Sequence, residues 1–190
     1  MKKVFLILLL FSAMCGMKAQ EVAVKSNLLY DAMANVNAGL EFGLAPRWTL
    51  DISADYNGWT INDHKWKHWF LQPEARYWFC DRFAKSFLAF HAIGGKFNIG
   101  NIKNGINFLG SDFSKLTDYR YQGWAVGAGV GYGYDVILGK HWNLEFEIAV
   151  GYIFAKYDKY RCQECGRKIG DGNHNYFGPT KAAINLVYIF

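Results

Sequence analysis

The sequence predicts an all-β chain, an eight-stranded antiparallel up-and-down transmembrane β-barrel behind a cleavable signal peptide, and three observations carry the prediction. Lys2 and Lys3 precede an unbroken apolar run from Val4 to Phe11, followed by small residues and a cut after Ala19, which is the layout of a secretory leader. The stretch Pro179 to Phe190 sets Lys181, Ala183 and Asn185 against Ala182, Ile184, Leu186, Tyr188 and Phe190. An apolar strand of that kind invites aggregation unless it closes against a first strand. Aromatic residues make up 18% of the chain, Gly numbers 20 against 3 Pro, and mean hydropathy is near zero. Strands that average a lipid face with a polar lumen face produce that balance. No stretch after the leader approaches the ~20 apolar residues of a membrane helix. A secreted β-sandwich shares the alternation, so strand count and connection lengths separate the two.

Residues 1–19 are the expected signal peptide and 20–190 a single barrel domain. Removing 1–19 takes the net charge from +5 to +2, so the basic balance belongs largely to the leader and no nucleic-acid partner is expected. Cys15 follows Met14, a poor residue before a lipidated cysteine, and Ala19-Gln20 is the better boundary.

The first strand is read at Val22 to Tyr30, with Val22, Val24, Leu28 and Tyr30 outward and Lys25 and Asn27 inward. The second, Val36 to Leu44, sets Leu40, Phe42 and Leu44 against Asn37, Gly39, Glu41 and Gly43. A turn at Ala45-Pro46-Arg47 leads into Trp48 to Tyr56, where Leu50, Ile52, Ala54 and Tyr56 oppose Thr49, Asp51, Ser53 and Asp55. The fourth, Trp69 to Phe79, opposes Gln72, Glu74 and Arg76 to Trp69, Leu71, Ala75, Tyr77 and Phe79. The fifth, about Phe87 to Phe97, has no legible facing. The sixth alternates Trp124, Val126, Ala128, Val130, Tyr132 and Tyr134 with Ala125, Gly127, Gly129, Gly131 and Gly133. The seventh runs from Trp142 to Phe154, and the eighth is the C-terminal stretch. An even count suits a closed single-chain barrel.

Three connections are short, near Pro46, Asp81 and Lys140. Those at Gly58 to Lys67, Asn98 to Tyr121 and Lys156 to Gly178 are long, as periplasmic turns and outer loops alternate. The connection at Ala32 to Asn35 is short. Arg47-Trp-Thr-Leu-Asp-Ile and His141-Trp-Asn-Leu-Glu-Phe form a faint repeat, each opening a strand after a short turn. Their indoles, with Tyr30, Tyr56, Trp69, Phe79, Trp124 and Phe190, are expected in two aromatic girdles.

Lys25, Glu41, Asp51, Asp55, Glu74, Arg76, Glu145, Glu147 and Lys181 face inward in this reading. An eight-stranded lumen is just wide enough for side chains to fill, which favours a paired, hydrogen-bonded plug over a proton or cation path or an acid-base pair drawn from Glu41, Asp51 and Glu145. The sixth-strand glycines are expected to make room for large residues from the opposite wall; a groove for a narrow ligand is the alternative. Cys162-Gln-Glu-Cys165 lies in the last outer loop. Its spacing suits a small disulfide, redox exchange or half of a zinc site with His174 and Asp171 nearby. Export favours the disulfide. No catalytic residues, metal or cofactor are assigned: none of the five histidines lies within two residues of a Ser. His64 and His68, with Lys65, Lys67, Trp66 and Trp69, read as an outer loop touching lipopolysaccharide head groups, so outer-membrane lipids are expected partners.

Ser26-Asn-Leu-Leu-Tyr-Asp31, Trp48-Thr-Leu-Asp-Ile, Gln72-Pro-Glu-Ala-Arg-Tyr-Trp78, Tyr121-Gln-Gly-Trp124, Tyr157-Asp-Lys-Tyr160, the Cys162 and Cys165 pair, and Tyr176-Phe-Gly-Pro-Thr-Lys181 together resemble an uncharacterised outer-membrane barrel family of Bacteroidetes-type bacteria, carried as a domain of unknown function. The ending, with Phe190 last and Tyr188 two places before it, resembles the C-terminal signal read by barrel-insertion machinery. The resemblance implies export to the outer membrane and brings no activity. Some members lie near fimbrial genes, which implies a surface-organelle protein as partner. The expected function is a non-enzymatic barrel with an envelope-structural, adhesive or surface-assembly role through its outer loops. The alternative is a narrow channel or a lipid-handling or lipid A-modifying enzyme.

Overall fold

The computed structural model describes residues 22–61, 64–100, 107–108, 111–112, 119–161 and 166–190. Eight long strands carry it: β1 Val22–Asn27, β2 Val36–Ala45, β3 Trp48–Asn57, β4 His64–Trp78, β5 Lys85–Gly100, β6 Arg120–Ile137, β7 Trp142–Tyr160 and β8 Lys168–Ile189. Each pairs antiparallel with its sequence neighbour, and β1 pairs with β8, so the sheet closes on itself in a ring. Two short rungs are added, Thr60–Ile61 on β4 and the pair Asn107–Phe108 and Ser111–Asp112. The expected leader, residues 1–19, lies outside the described residues.

The register is staggered around the ring. Successive Cα partners starting at Ala23 are Glu41, Asp51, Glu74, His91, Gly129, Gly151 and Gly178. That circuit reaches β8 eleven residues before Ile189, the partner that Ala23 itself holds. One of the eleven is Thr180, the extra residue of a bulge opposite Ala149 and Val150. A stagger of about ten residues tilts strands by roughly 35–45° in a closed sheet of this size and leaves an interior that side chains can fill.

Period-2 alternation decides what fills it. On β3, Thr49, Asp51, Asp55 and Asn57 are buried while Trp48, Ile52 and Tyr56 are exposed; the same inversion of polarity runs through β4 and β7, while on β6 the exposed apolar face opposes buried Ala125, Gly131, Gly133 and Asp135. On β5, where the sequence left the facing open, Phe87, Ala89 and His91 point inward and Leu88, Phe90 and Ala92 outward. Pro73 faces outward on β4, where the ladder to β5 is interrupted between Leu71 and Glu74, because Pro has no N–H to donate.

Several boundaries differ from the sequence reading. β1 stops at Asn27, whose side chain accepts from the Leu29 N–H at 3.1 Å and caps the short helix α1, Leu28–Ala32. Tyr30 is therefore turned over the ring and is not in an outer girdle. Of the expected loops, Gly58 to Lys67 and Lys156 to Gly178 are in large part strand, with β7 and β8 paired up to Tyr160 and Lys168, while most of Asn98 to Tyr121 lies outside the described residues. These extensions are polar on both faces, so hydropathy alternation ends there although backbone pairing continues.

At one end of the ring lie the short turns, at the other α1 and the long connections. The turn after β4 folds inward. Phe83 sits at φ 59° and Lys85 at φ 63°, left-handed positions that cost a non-Gly residue roughly 1–2 kcal/mol each. Burial of Phe83 against Trp78, with ring centroids 6.0 Å apart, offsets that cost.

Candidate functional site

The interior is built in layers. At the turn end, Ala23, Trp78, Phe83, Phe87, Ala89 and Val187 form an apolar cluster. Trp78 is fully buried, packs at a tilt against Phe87 with ring centroids 4.6 Å apart, and donates its indole N–H to Thr49 at 2.9 Å. Asn143 donates to Asp135 and to the Phe83 carbonyl, both at 2.9 Å, which ties the inward turn to β7.

Above it lies the charged layer. Arg76 is the hub: its Nε reaches Glu74 at 2.6 Å, Nη1 reaches Glu145 at 2.6 Å and Glu41 at 2.9 Å, and Nη2 reaches Glu147 at 2.8 Å and Asp51 at 3.6 Å. Lys25 pairs with Glu41 and lies 3.4 Å from Glu145; Lys181 lies 2.8 Å from Glu74 and 3.0 Å from Glu147. Five carboxylates thus share three cations. Neutral donors take up part of the excess: Thr49 bonds Glu41, Ser53 bonds Asp51 at 2.8 Å, and Asn185 bonds Glu145 at 2.6 Å. Asp51 Oδ1 and Glu147 Oε1 accept no hydrogen bond among the described residues.

Eight of the nine inward charges singled out from the sequence meet here. Asp55 stands apart, 3.0 Å from His68 Nε2 near the loop end. His68 is itself an inward residue of β4 and not part of an outer loop, and the side chains of His64 and Lys65 lie outside the described residues. Cys162 and Cys165 also lie outside them. Cys80 is free and exposed in the turn. Among the described residues, no group of His, Cys, Asp and Glu has the geometry of a metal site.

The glycines of β6 act differently from the sequence expectation. A Cβ on Gly133 would stand 2.1 Å from the Phe87 ring, and one on Gly129 would stand 2.7 Å from His91 and 2.5 Å from the Val150 carbonyl oxygen. Phe87 and His91 are the direct register partners of these glycines on β5. The room is thus taken by the adjacent strand, whose large side chains lean over the glycine opposite, and not by the far wall.

Sequence reasoning passed over Trp78, Asp135 and His91 as inward residues. Trp78 and His91 are the next inward positions after Arg76 and Ala89, so period-2 counting reaches them once β5 is faced. Thr180 is placed by the bulge, which turns its hydroxyl onto His91 Nε2 at 3.0 Å; simple alternation does not find it. The repeat has a structural meaning. Thr49 and Asn143 both bond into the turn-end layer, Asp51 and Glu145 both enter the charged layer, and Trp48 and Trp142 rest on Tyr77 and Tyr188 at 5.1 and 5.0 Å.

The loop end holds a small recess beneath α1, lined in part by Tyr30, Asn37, Ser53, Gln72 and Asn185, with about 20 Å³ of free space. That holds one or two waters. Burial, with the charge of Asp55, pushes the Tyr30 phenol above its ordinary range, so it stays protonated. Asp31 fixes α1 by accepting from Ser26 at 2.8 Å and Asn37 at 2.7 Å.

Beyond the recess β5 to β8 project as a sheet. Lys159 lies 3.6 Å from the Tyr119 ring centroid, and Arg120 lies 4.3 Å from that of Tyr160. Lys168, bonded to Asp158 at 2.6 Å and Asp171 at 3.3 Å, has its pKa raised by those carboxylates. On the outer surface, register places Trp69, Lys96, Trp124 and Lys156 in one row across β4 to β7.

A family model described as a protein of unknown function, DUF3575, matches residues 4–190. The chain belongs to this family. No curated protein and no solved structure matches it. The family match spans every strand of the ring and so includes both the charged layer and the projecting sheet.

Proposed function

We propose that the closed sheet is an outer-membrane β-barrel, exported by the leader of residues 1–19, that is non-enzymatic and non-conducting and serves envelope structure, adhesion or surface assembly through its loop-end sheet. The observation that carries this reading is the inverted polarity of the ring. Arg76, Glu41, Glu74 and Glu145 are buried inside while Leu40, Leu71, Phe90, Val130 and Ile148 stand exposed outside. A contiguous apolar belt is stable against hydrocarbon and a liability against water.

The margins of the belt support the same reading. Trp48, Phe79, Trp142 and Phe190 are exposed at the turn end, where amphipathic rings favour a membrane interface. At the loop end, the row of Trp69, Lys96, Trp124 and Lys156 interleaves indoles with ammonium groups, a pattern suited to anionic lipid phosphates such as those of lipopolysaccharide. In this reading Tyr188 and Phe190 are the signal for insertion machinery, and a surface-organelle protein such as a fimbrial component is the partner of the projecting sheet.

The packed interior argues against the channel reading. An ion crossing it would have to displace both the Trp78, Phe83 and Phe87 layer and the Arg76 hub. The test is fractionation of the full chain followed by gel migration with and without boiling, and by planar-bilayer recording. An outer-membrane fraction, a heat-modifiable band and no unitary current are expected. Recovery from the periplasm with no heat-modifiable band overturns the membrane reading. Unitary currents lowered by Glu145→Gln, or altered lipid A acylation in a deletion strain, would replace it with the channel or the enzyme.

A further inference from the structure

The turn end carries a charge pattern that the apolar belt alone does not require. Its three turns lie between β2 and β3, β4 and β5, and β6 and β7, so they mark three of the four corners of the ring. Each presents one exposed cation: Arg47, Lys85 and Lys140. None of the three makes an ion pair or a side-chain hydrogen bond among the described residues. Arg82 is set apart, because its guanidinium lies over Gly43, 3.0 Å from where a Cβ would stand. The exposed side-chain carboxylate set against these cations in the turns is Asp81.

The cations stand at the edge of the belt and not on a separate surface. Leu44 and Trp48 flank Arg47, and Ile137, Leu138 and Trp142 flank Lys140; all five are exposed. The Phe79 N–H donates to the Ser86 carbonyl at 3.1 Å, which sets this exposed ring level with the residue after Lys85. Trp48 and Phe79 both pack on Tyr77, at 5.1 and 5.9 Å, and Trp142 and Phe190 both pack on Tyr188, at 5.0 Å. Two arcs of rings thus follow the lower margin of the belt, with the cations directly beyond them. From such a margin Lys and Arg reach headgroup phosphates while their stems stay on apolar surface. Neighbouring turns are two strands apart, about 10 Å across the sheet. Cations spaced around a perimeter suit separate headgroups lying side by side, whereas a linear wall polymer would require them gathered along one groove.

We infer that Arg47, Lys85 and Lys140 form a collar that binds the phosphates of anionic phospholipids in the leaflet on the turn side, selecting phosphatidylglycerol-type lipids as the protein's nearest neighbours there. A cation held near an anionic lipid surface strengthens association by about fivefold at modest salt. The collar rests on the membrane reading and deepens it by naming the lipid class held on the turn side. It is distinct from the row of Lys96 and Lys156, which crosses the sheet at the loop end.

The test uses the full mature chain folded in phosphatidylcholine vesicles, with each variant checked by heat-modifiable migration. Trace spin-labelled phosphatidylglycerol or phosphatidylcholine reports the lipid whose motion the protein restricts. Severalfold stronger association of the phosphatidylglycerol is expected, falling as salt rises. Arg47→Gln, Lys85→Gln and Lys140→Gln together are expected to remove most of that preference, and Lys96→Gln with Lys156→Gln a smaller share. Arg47→Lys, Lys85→Arg and Lys140→Arg together are expected to keep it. An unchanged preference in the glutamine triple variant overturns the proposal, and a preference in the unaltered chain that salt leaves intact overturns it without any variant. So does loss of the preference to inorganic phosphate at constant ionic strength, which would make the collar a soluble-phosphate site. Co-sedimentation of the folded chain with purified wall sacculi, lost in the triple variant, would give the collar to the wall polymer instead. Restricted lipid with no headgroup preference defeats the collar alone; no restricted lipid at all defeats the membrane reading with it.

Discussion

Arg76 on β4 and Glu145 on β7 meet at 2.6 Å, although their strands are not neighbours in the ring. The contact spans the interior, so the guanidinium joins walls that no backbone ladder joins directly. Removing it leaves five buried carboxylates to two lysines. Losing one member of a buried ion network costs about 3–5 kcal/mol, so Arg76→Leu is expected to lower stability by that order in urea unfolding of the vesicle-folded protein. Lys168→Met breaks an exposed pair and should leave the midpoint where it is.

Gly133 gives the second prediction. Its missing Cβ is the space that the Phe87 ring fills, and overpacking of this kind costs roughly 1–3 kcal/mol. Gly133→Ala is expected to destabilise by that amount, and Phe87→Leu in the same chain to recover part of it, which a double-mutant cycle reads as coupling. Gly139→Ala, with nothing within 4 Å of the new methyl group, should be silent.

How much of this was legible follows from the same residues. Where one face is apolar and the other charged, as on β3 and β7, or glycine-lined, as on β6, alternation alone gives both the strand and its facing. β5 resisted because Phe87, Leu88, Ala89 and Phe90 are apolar on both faces, and only the pairing of His91 with Glu74 settles which set turns inward. The projecting ends of β7 and β8 resisted for the opposite reason, being polar on both faces. The charged layer was visible as a set of inward positions. Arg76 as its hub was not, because the stagger that gathers five carboxylates around one side chain is a property of the closed register. Leu28 to Tyr30 alternates as a strand would, yet Asn27 caps a helix there, a local signal that the periodicity outweighed.

Closure at the C-terminus gives the third prediction. Tyr188 lies 5.0 Å from Trp142 and Phe190 and 5.6 Å from His141, and the Phe190 N–H donates to Val22 at 3.0 Å. Tyr188→Ala removes all three ring contacts beside the seam between β1 and β8. The heat-modifiable fraction recovered from cells is expected to fall severalfold, while the same variant refolded in detergent shows a much smaller loss.

The outer row gives the fourth. Lys96 and Lys156 flank Trp124 through the ladders of β5, β6 and β7. Lys96→Glu with Lys156→Glu is expected to slow folding into vesicles containing anionic lipid and to leave folding into neutral vesicles unchanged. Equal slowing in both would assign the lysines a role other than meeting phosphate.

The most direct measurement of the central claim is the environment of Ile148, exposed on β7 between the buried Glu147 and Ala149. A spin label is placed at Ile148→Cys in mature protein carrying Cys80→Ser, Cys162→Ser and Cys165→Ser, reconstituted in vesicles. High collision with oxygen and low collision with a water-soluble nickel chelate is the predicted result, placing the outward face in hydrocarbon. High collision with the nickel chelate would put that face in water and contradict the account.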